Sequence, residues 1–375
     1  MYRAFKEKYP QTIVTYKFYS DVFHTDFPDL RFGRPRSDTC GSCDKYNNKI
    51  KACDSTDPDK KNLINALQLH HRKAEKATAT LTHDMAESQK INCDTNVITI
   101  DLEQVLFLPS LTHSSMFYSR QLSCYNLDVH LSDTESAHMC LWEETLTGRG
   151  GNEIASCLFK VLSLENFPKR NKLIVWSDNC IGQNKNKIML MLFIYLVASG
   201  MYDQIEQKFL VSGHSYLPCD RDFAQIERRK KVTKTFVPAD IKKMIQGACH
   251  KHPFTAITME AEDFKDFQKM ADNILNTTKL QISKVSNIRI DKDNPTLVKT
   301  RKTFSDIEEW QVCNVLRKGK TKHNILGLEL CLLECKNRIS VEKVKNLEDM
   351  LDYIPLKYHQ FWSSLIEKSK NQANP

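Results

Sequence analysis

Residues 172–186, KLIVWSDNCIGQNKN, constrain this chain more than any other stretch. Leu173, Ile174, Val175 and Trp176 form an uninterrupted apolar run, the mark of a short strand buried on both faces. The run stops at Ser177-Asp178-Asn179, Gly182 breaks the chain, and a long apolar helix is predicted from near Asn184 to Gly200. A strand covered on both sides and followed by a helix belongs to an α/β sheet. In open α/β sheets ligands bind outside the C-terminal ends of the strands. Asp178 stands at such an end. Its alternative role is to cap the next helix, for which Asn184 is better placed.

Length and charge set the frame. A chain of 375 residues suits two domains or one large one and can bury a sizeable core. Lys and Arg number 54 against 46 Asp and Glu, a net charge of +8 that is compatible with a polyanionic partner without demanding one. There are 13 cysteines, an odd count, and the opening MYRAFKEKYP has no signal-peptide core. Paired cysteines are therefore read as reduced thiols or metal ligands rather than as a disulfide framework. The longest apolar run, Ile188 to Ala198, is too short to span a bilayer. The expectation is a soluble intracellular protein with no membrane role.

Before residue 93 the pattern is helical. An aromatic-rich segment ends in a turn at Phe32-Gly33-Arg34-Pro35, and Cys40-Gly41-Ser42-Cys43 follows. Two thiolates at C-x-x-C spacing on a tight turn can face one Zn²⁺, but they supply only half of a tetrahedral site. Cys53, Cys93 and the pair His70-His71, on a charged helix from about Lys60 to Lys90, are the candidates for the rest. A metal-free pair of thiols and a redox pair are the other readings.

From Asn96 the pattern turns to strands. Val97 to Glu103 reads as a strand with Asp101 in its body, and acids are depleted and costly there without a partner. An edge strand with Asp101 facing solvent is the alternative. Two further strand-like runs, Met116 to Leu131 and Ser136 to Leu146, precede a helix over Asn152 to Asn166. The strand at Leu173, its helix, a strand over Lys208 to Ser212 and a helix beginning at Pro218-Cys219-Asp220 complete the series. Asp220 could be no more than an N-terminal cap. Acids thus fall in the body of one strand, at the tip of a later one and at the start of the last helix. Three acids from three elements can converge on two divalent cations, and carboxylate oxygens suit Mg²⁺ or Mn²⁺. Two such ions can hold the attacking and leaving oxygens of a phosphodiester displacement.

The order of elements and the acid positions resemble the RNase H-like fold of integrases and DDE/DDD transposases. More narrowly, the chain is similar to uncharacterised transposon-derived proteins of animal genomes. The segments that carry the likeness are FGRPRSDTCGSCD (32–44), ITIDLEQVLFLP (98–109), WEETLTGRGGNEIASCL (142–158), WSDNCIGQNKNK (176–187) and GHSYLPCDRDFAQIE (213–227), with PFTAITMEAEDF (253–264) and IPLKYHQFW (354–362) further on. The resemblance implies a mixed five-stranded sheet with flanking helices over 93–235. A helical region with the zinc knuckle (1–92) precedes it and an α+β region (236–375) follows. It makes Asp101 the first acid, Asp178 the second and Asp220 the third. Asp222 is the next choice and Glu227 a later one. Asp220 and Asp222 point roughly 200° apart on a regular helix, so both cannot face the same metals.

His214 is read as a cation ligand, a phosphate-orienting group, or a histidine packed beneath the helix. Asn179, Gln183, Asn184 and Lys185 are read as a rim gripping substrate backbone, or as turn residues and a cap. Arg228 and Arg229, with Lys230 and Lys231, suit phosphates or a solvated helix end. The function implied is metal-dependent cleavage or strand transfer on nucleic acid, DNA before RNA, in the nucleus, with two Mg²⁺ or Mn²⁺ ions and one structural Zn²⁺. A homo-oligomer is compatible with this. The alternative is a catalytically inactive, domesticated descendant that binds nucleic acid or protein.

Overall fold

The computed structural model describes residues 2–27, 39–54, 57–113, 118–327, 329–334 and 337–373. The turn expected at Phe32-Gly33-Arg34-Pro35 and the start of the strand expected from Met116 lie outside these residues. In chain order the elements are α1 (Tyr2–Lys8), α2 (Tyr16–Asp26), α3 (Gly41–Ala52), α4 (Pro58–Ser88), β1 (Thr95–Leu102), β2 (Leu106–Leu108), β3 (Leu122–Leu131), β4 (Ser136–Glu143) and α5 (Gly151–Leu162). There follow β5 (Lys172–Ser177), α6 (Lys187–Ala198), β6 (Gln204–Phe209), α7 (Pro218–Lys230), α8 (Pro238–Gln246), β7 (Thr255–Thr258) and α9 (Phe267–Ile274). Last come β8 (Asn287–Asp291), β9 (Leu297–Arg301), β10 (Gln311–Asn314), α10 (Lys322–Leu326), α11 (Val341–Asp349) and α12 (His359–Ala373).

All strands join one mixed 10-stranded sheet in the order β10-β9-β8-β6-β5-β1-β3-β4-β7, with β2 paired to β3. β1, β3 and β4 form an antiparallel meander, and β5 and β6 lie parallel to β1 on its other side. This corrects the expected five-stranded sheet in extent. Beyond residue 235 the chain returns to both edges: β7 pairs in parallel with β4, and β8 pairs antiparallel with β6.

Alternation along β1 decides how the sheet is covered. Ile98 and Ile100 point to one face and join Leu127, Val129, Leu173 and Val175 under α5, α6 and α9. α6 is apolar all round, with Met189 to Ile194 fully buried, as a core helix must be. Each such burial stabilises the fold by ~1.5–3 kcal/mol.

Val97, Thr99 and Asp101 point to the opposite face, where α4 and α7 lie. Ala77 and Leu81 of α4 pack with Val97, Trp176, Leu217 and Cys219. Asp84 of α4 accepts hydrogen bonds from Trp176 Nε1 at 2.9 Å and Lys208 Nζ at 2.7 Å, pinning the long helix across the sheet.

Candidate functional site

Parallel pairing of β1 with β5 brings the first two acids together. Ile100 pairs with Ser177, so the next step along each chain sets Asp101 beside Asp178. Asp178 Oδ1 accepts from the Cys180 amide at 3.0 Å and from Asn184 Nδ2 at 2.7 Å, which fixes the carboxylate at the strand tip. Burial pushes the Asp101 carboxyl up to about 7, and the negative charges of Asp178 and Asp220 push in the same direction. The Leu102 amide, donating to Asp101 Oδ1 at 2.9 Å, opposes them. Burial and like charge both disfavour the ionised form of Asp101, and a nearby cation would favour it.

Asp220 and Asp222 divide as helix geometry requires. Leu217 is the N-cap of α7, and Asp220 Oδ2 accepts from its amide at 2.7 Å, three residues back. Asp220 therefore closes the helix start and also adds its charge to the field at Asp101. Asp222 is buried on the opposite side, where it meets β3. His130 Nδ1 donates to Asp222 Oδ2 at 2.6 Å, and the fully buried Asp128 carboxylate stands against Asp222 as well. The ligand atoms of Asp128, His130 and Asp222 lie within 4.8 Å of one another.

Asn126, Asp128 and His130 share one face of β3, opposite Leu127 and Val129. Asp128 pairs directly with Asp101 across the strands. Sequence reasoning missed this pair of side chains. The only signal was two ionisable residues spaced by two, in line with Asn126, in a strand whose other face is apolar.

The expected rim turns partly inward. Asn186, not Asn184, caps α6, accepting from the Ile188 and Met189 amides at 3.0 and 3.1 Å. Asn184 is buried behind Asp178, and its carbonyl accepts from Gln207 Nε2 at 2.7 Å. Lys185 is 2% exposed. Its ammonium donates to Asn179 Oδ1 at 2.7 Å and lies 4.7 Å from the Phe209 ring centroid, and burial pushes it down to about 8. These two side chains hold the loop from within, while Asn179 and Gln183 are half-buried. Arg228 and Arg229 are exposed in the last turn of α7, eight and nine residues and therefore about 12–13 Å along the axis from Asp220. Glu227 accepts from Lys230 Nζ at 2.8 Å and acts on Glu103 rather than on Asp101.

The knuckle finds its partners across the fold. Cys40 Sγ lies 3.2 Å from His70 Nε2, and Cys43 Sγ lies 3.3 Å from both His214 Nε2 and His71 Nε2. The ligand atoms of Cys40, Cys43, His70 and His214 lie within 4.8 Å of one another, so two thiols and two imidazoles can share one metal ion. His214 thus joins the cysteines, and Cys53 and Cys93 lie elsewhere. Gly213 makes the approach possible. Its φ is +77°, and a Cβ there would meet Cys40 Cα and Cβ at 2.6 Å.

Residues 129–306 match a family described as a domain of unknown function, DUF7869. The match takes in Asp178, Lys185, His214, Asp220 and Asp222, and begins after Asp101 and the Cys and His residues of α3 and α4. No curated protein and no solved structure matches the chain. Among the described residues no helix is long and apolar enough to cross a membrane.

Proposed function

We propose that this chain is a transposase- or integrase-like protein of RNase H-like fold, descended from a mobile element, that cleaves or joins nucleic-acid phosphodiesters with divalent metal. The observation that carries the reading is the parallel register of β1 and β5, which sets Asp101 beside Asp178 at the strand ends, with the charge of Asp220 reaching Asp101 from α7. The strand order β4-β3-β1-β5-β6, three antiparallel and two parallel, supports the RNase H-like core. Asp101, Asp178 and Asp220 would hold two Mg²⁺ or Mn²⁺ ions. When bound, the ions activate a water or 3′-hydroxyl and stabilise the leaving oxygen. Asn184 and the Cys180 amide keep the Asp178 carboxylate aimed. Arg228, Arg229 and the +8 net charge favour a polyanionic partner, DNA first, and with it a nuclear location.

The test is Mg²⁺- or Mn²⁺-dependent cleavage of a DNA duplex or hairpin by the purified protein. Asp101→Asn and Asp178→Asn should abolish it, and equal activity in the variants would end the proposal. A second reading, a catalytically silent nucleic-acid- or protein-binding module, is favoured by one observation: an Asp220 oxygen is engaged by the Leu217 amide. That reading expects salt-sensitive DNA binding that is unchanged in Asp178→Asn.

We assign the cluster of Cys40, Cys43, His70 and His214 to a structural Zn²⁺, with His71 alongside. The reading is supported by C-x-x-C spacing and by sulfur-to-nitrogen separations of 3.2 and 3.3 Å, near those of a tetrahedral site. The wild type should carry one tightly held zinc that Cys40→Ser and His214→Ala lose. A zinc-free wild type would remove the assignment.

A further inference from the structure

The face of the sheet beneath α7 holds more negative charge than its neighbours balance. Asp128 is 0% exposed, His130 3% and Asp222 6%. Neither Asp128 oxygen receives a well-formed hydrogen bond, and His130 Nε2 also lacks a partner. The Cys219 thiol near Asp128 only partly offsets the charges that reach it from Asp222 and Asp101, both negative. Thr99 Oγ1 and Cys219 Sγ, 3.2 Å apart, sit between β1 and the start of α7 and bring no charge. A buried carboxylate without a compensating partner is costly to ionise, and two facing each other are costlier. The one imidazole, already given to Asp222, cannot neutralise both.

We propose that Asp128, His130 and Asp222 form a buried divalent-metal site, adjoining the Asp101–Asp178–Asp220 centre across the β1–β3 pair but independent of any nuclease activity. The donor set decides the class of ion. Two carboxylate oxygens with one imidazole nitrogen suit Mn²⁺ or Zn²⁺, whereas Mg²⁺ prefers oxygen ligands throughout. The three ligands come from two elements, β3 and α7. An ion here would tie the helix that carries Asp220 to the strand that neighbours Asp101.

The competing arrangement is a proton: Asp128, kept neutral by burial, donates to Asp222, which also accepts from His130. The two make opposite predictions for Asp128→Asn, which mimics a neutral carboxyl in size and shape.

The probe is Co²⁺, added to the full chain after dialysis against a chelator. Thiolate ligation gives an intense near-ultraviolet charge-transfer band, and a nitrogen–oxygen site gives only weak visible bands. In an Asp178→Asn background, which removes the other acidic centre, two tight equivalents are expected, one with the thiolate band and one without. Adding Asp128→Asn or His130→Gln should cut two equivalents to one and leave the thiolate band intact. Adding Cys40→Ser, Cys43→Ser and His214→Ala together should instead remove the thiolate band and leave one equivalent. A background protein that binds Co²⁺ only with the thiolate signature overturns the proposal, as does an Asp128→Asn protein that keeps both equivalents. Should Asp128→Asn fail to fold, the protein without Cys40, Cys43 and His214 still decides, because it must retain one thiolate-free equivalent.

Discussion

Asp101 is one of the buried carboxyls whose ionisation the fold opposes. Its rise to about 7 comes from burial first and from Asp178 and Asp220 after that. Asp101→Asn keeps the shape and removes the charge. The metal-free variant should therefore be more stable than wild type at pH 8 by on the order of 2–4 kcal/mol, and should lose the Mg²⁺-dependent rise in melting temperature. Thermal melts with and without Mg²⁺ measure both.

Lys185 is the complementary case. Its folded value near 8 lies below the usual lysine value of 10.5, so the cost of burying the ammonium is fully present below pH 8. That cost fades as pH rises from about 8 to about 10.5, where the folded form has lost a proton that the unfolded chain still binds. Lys185→Met should be the more stable protein at pH 7, by up to ~3 kcal/mol, and its advantage should shrink across that window. Chemical denaturation at a series of pH values checks it; a constant difference would be the wrong outcome.

At this scale Asp101 and Asp178 were legible because an acid inside an apolar strand, or at its tip, breaks a local rule. Asp128 and His130 were not legible. Alternation along β3 ordinarily means one wet face, and only α7 folding over it reveals that the face is dry.

Among elements, the loop between β6 and α7 has most to hold. It carries Gly213 and His214 to the knuckle and then opens the helix that bears Asp220. Removing the metal proposed for the knuckle should loosen α3 and α4 from that loop, seen as faster amide exchange in 211–220 while β1 and β5 stay protected. Gly213→Ala should have a similar effect without chelator. It strains a left-handed backbone and drives a Cβ into Cys40, at a cost of ~1–3 kcal/mol. Helices and strands through the middle of the chain followed from periodicity and caps. The partner of the knuckle did not, since His214 meets the cysteines only through tertiary closure. Nor was the start of α6 placed correctly: Asn184 and Asn186 are equally good caps by residue type, and Asn184 is held by Asp178 instead.

On the scale of the whole molecule, the C-terminal third is part of the same sheet rather than an appendage. β8 covers the edge of β6 and β7 covers the edge of β4. Trp362, Leu365 and Ile366 of α12 pack with Met139 and Leu141 of β4. A fragment ending at residue 235 should consequently expose two long edges and aggregate, whereas the full chain stays monodisperse; size-exclusion chromatography of both separates the outcomes. The sequence suggested a boundary there because the α/β alternation stops and short strands take over. Edge strands of four residues, such as β7 and β10, give too weak a period to show which sheet they join.

The register of β1 against β5 has a consequence for the newly made chain. Asp101 leaves the ribosome long before Asp178, and Asp220 later still, so no early stretch contains a finished acidic centre. The centre comes into being only when the crossover through α5 has closed and α7 has docked, both slow, long-range events. The activity proposed for those carboxylates would therefore be withheld from a half-made or partly melted molecule, and its appearance would report that folding is complete.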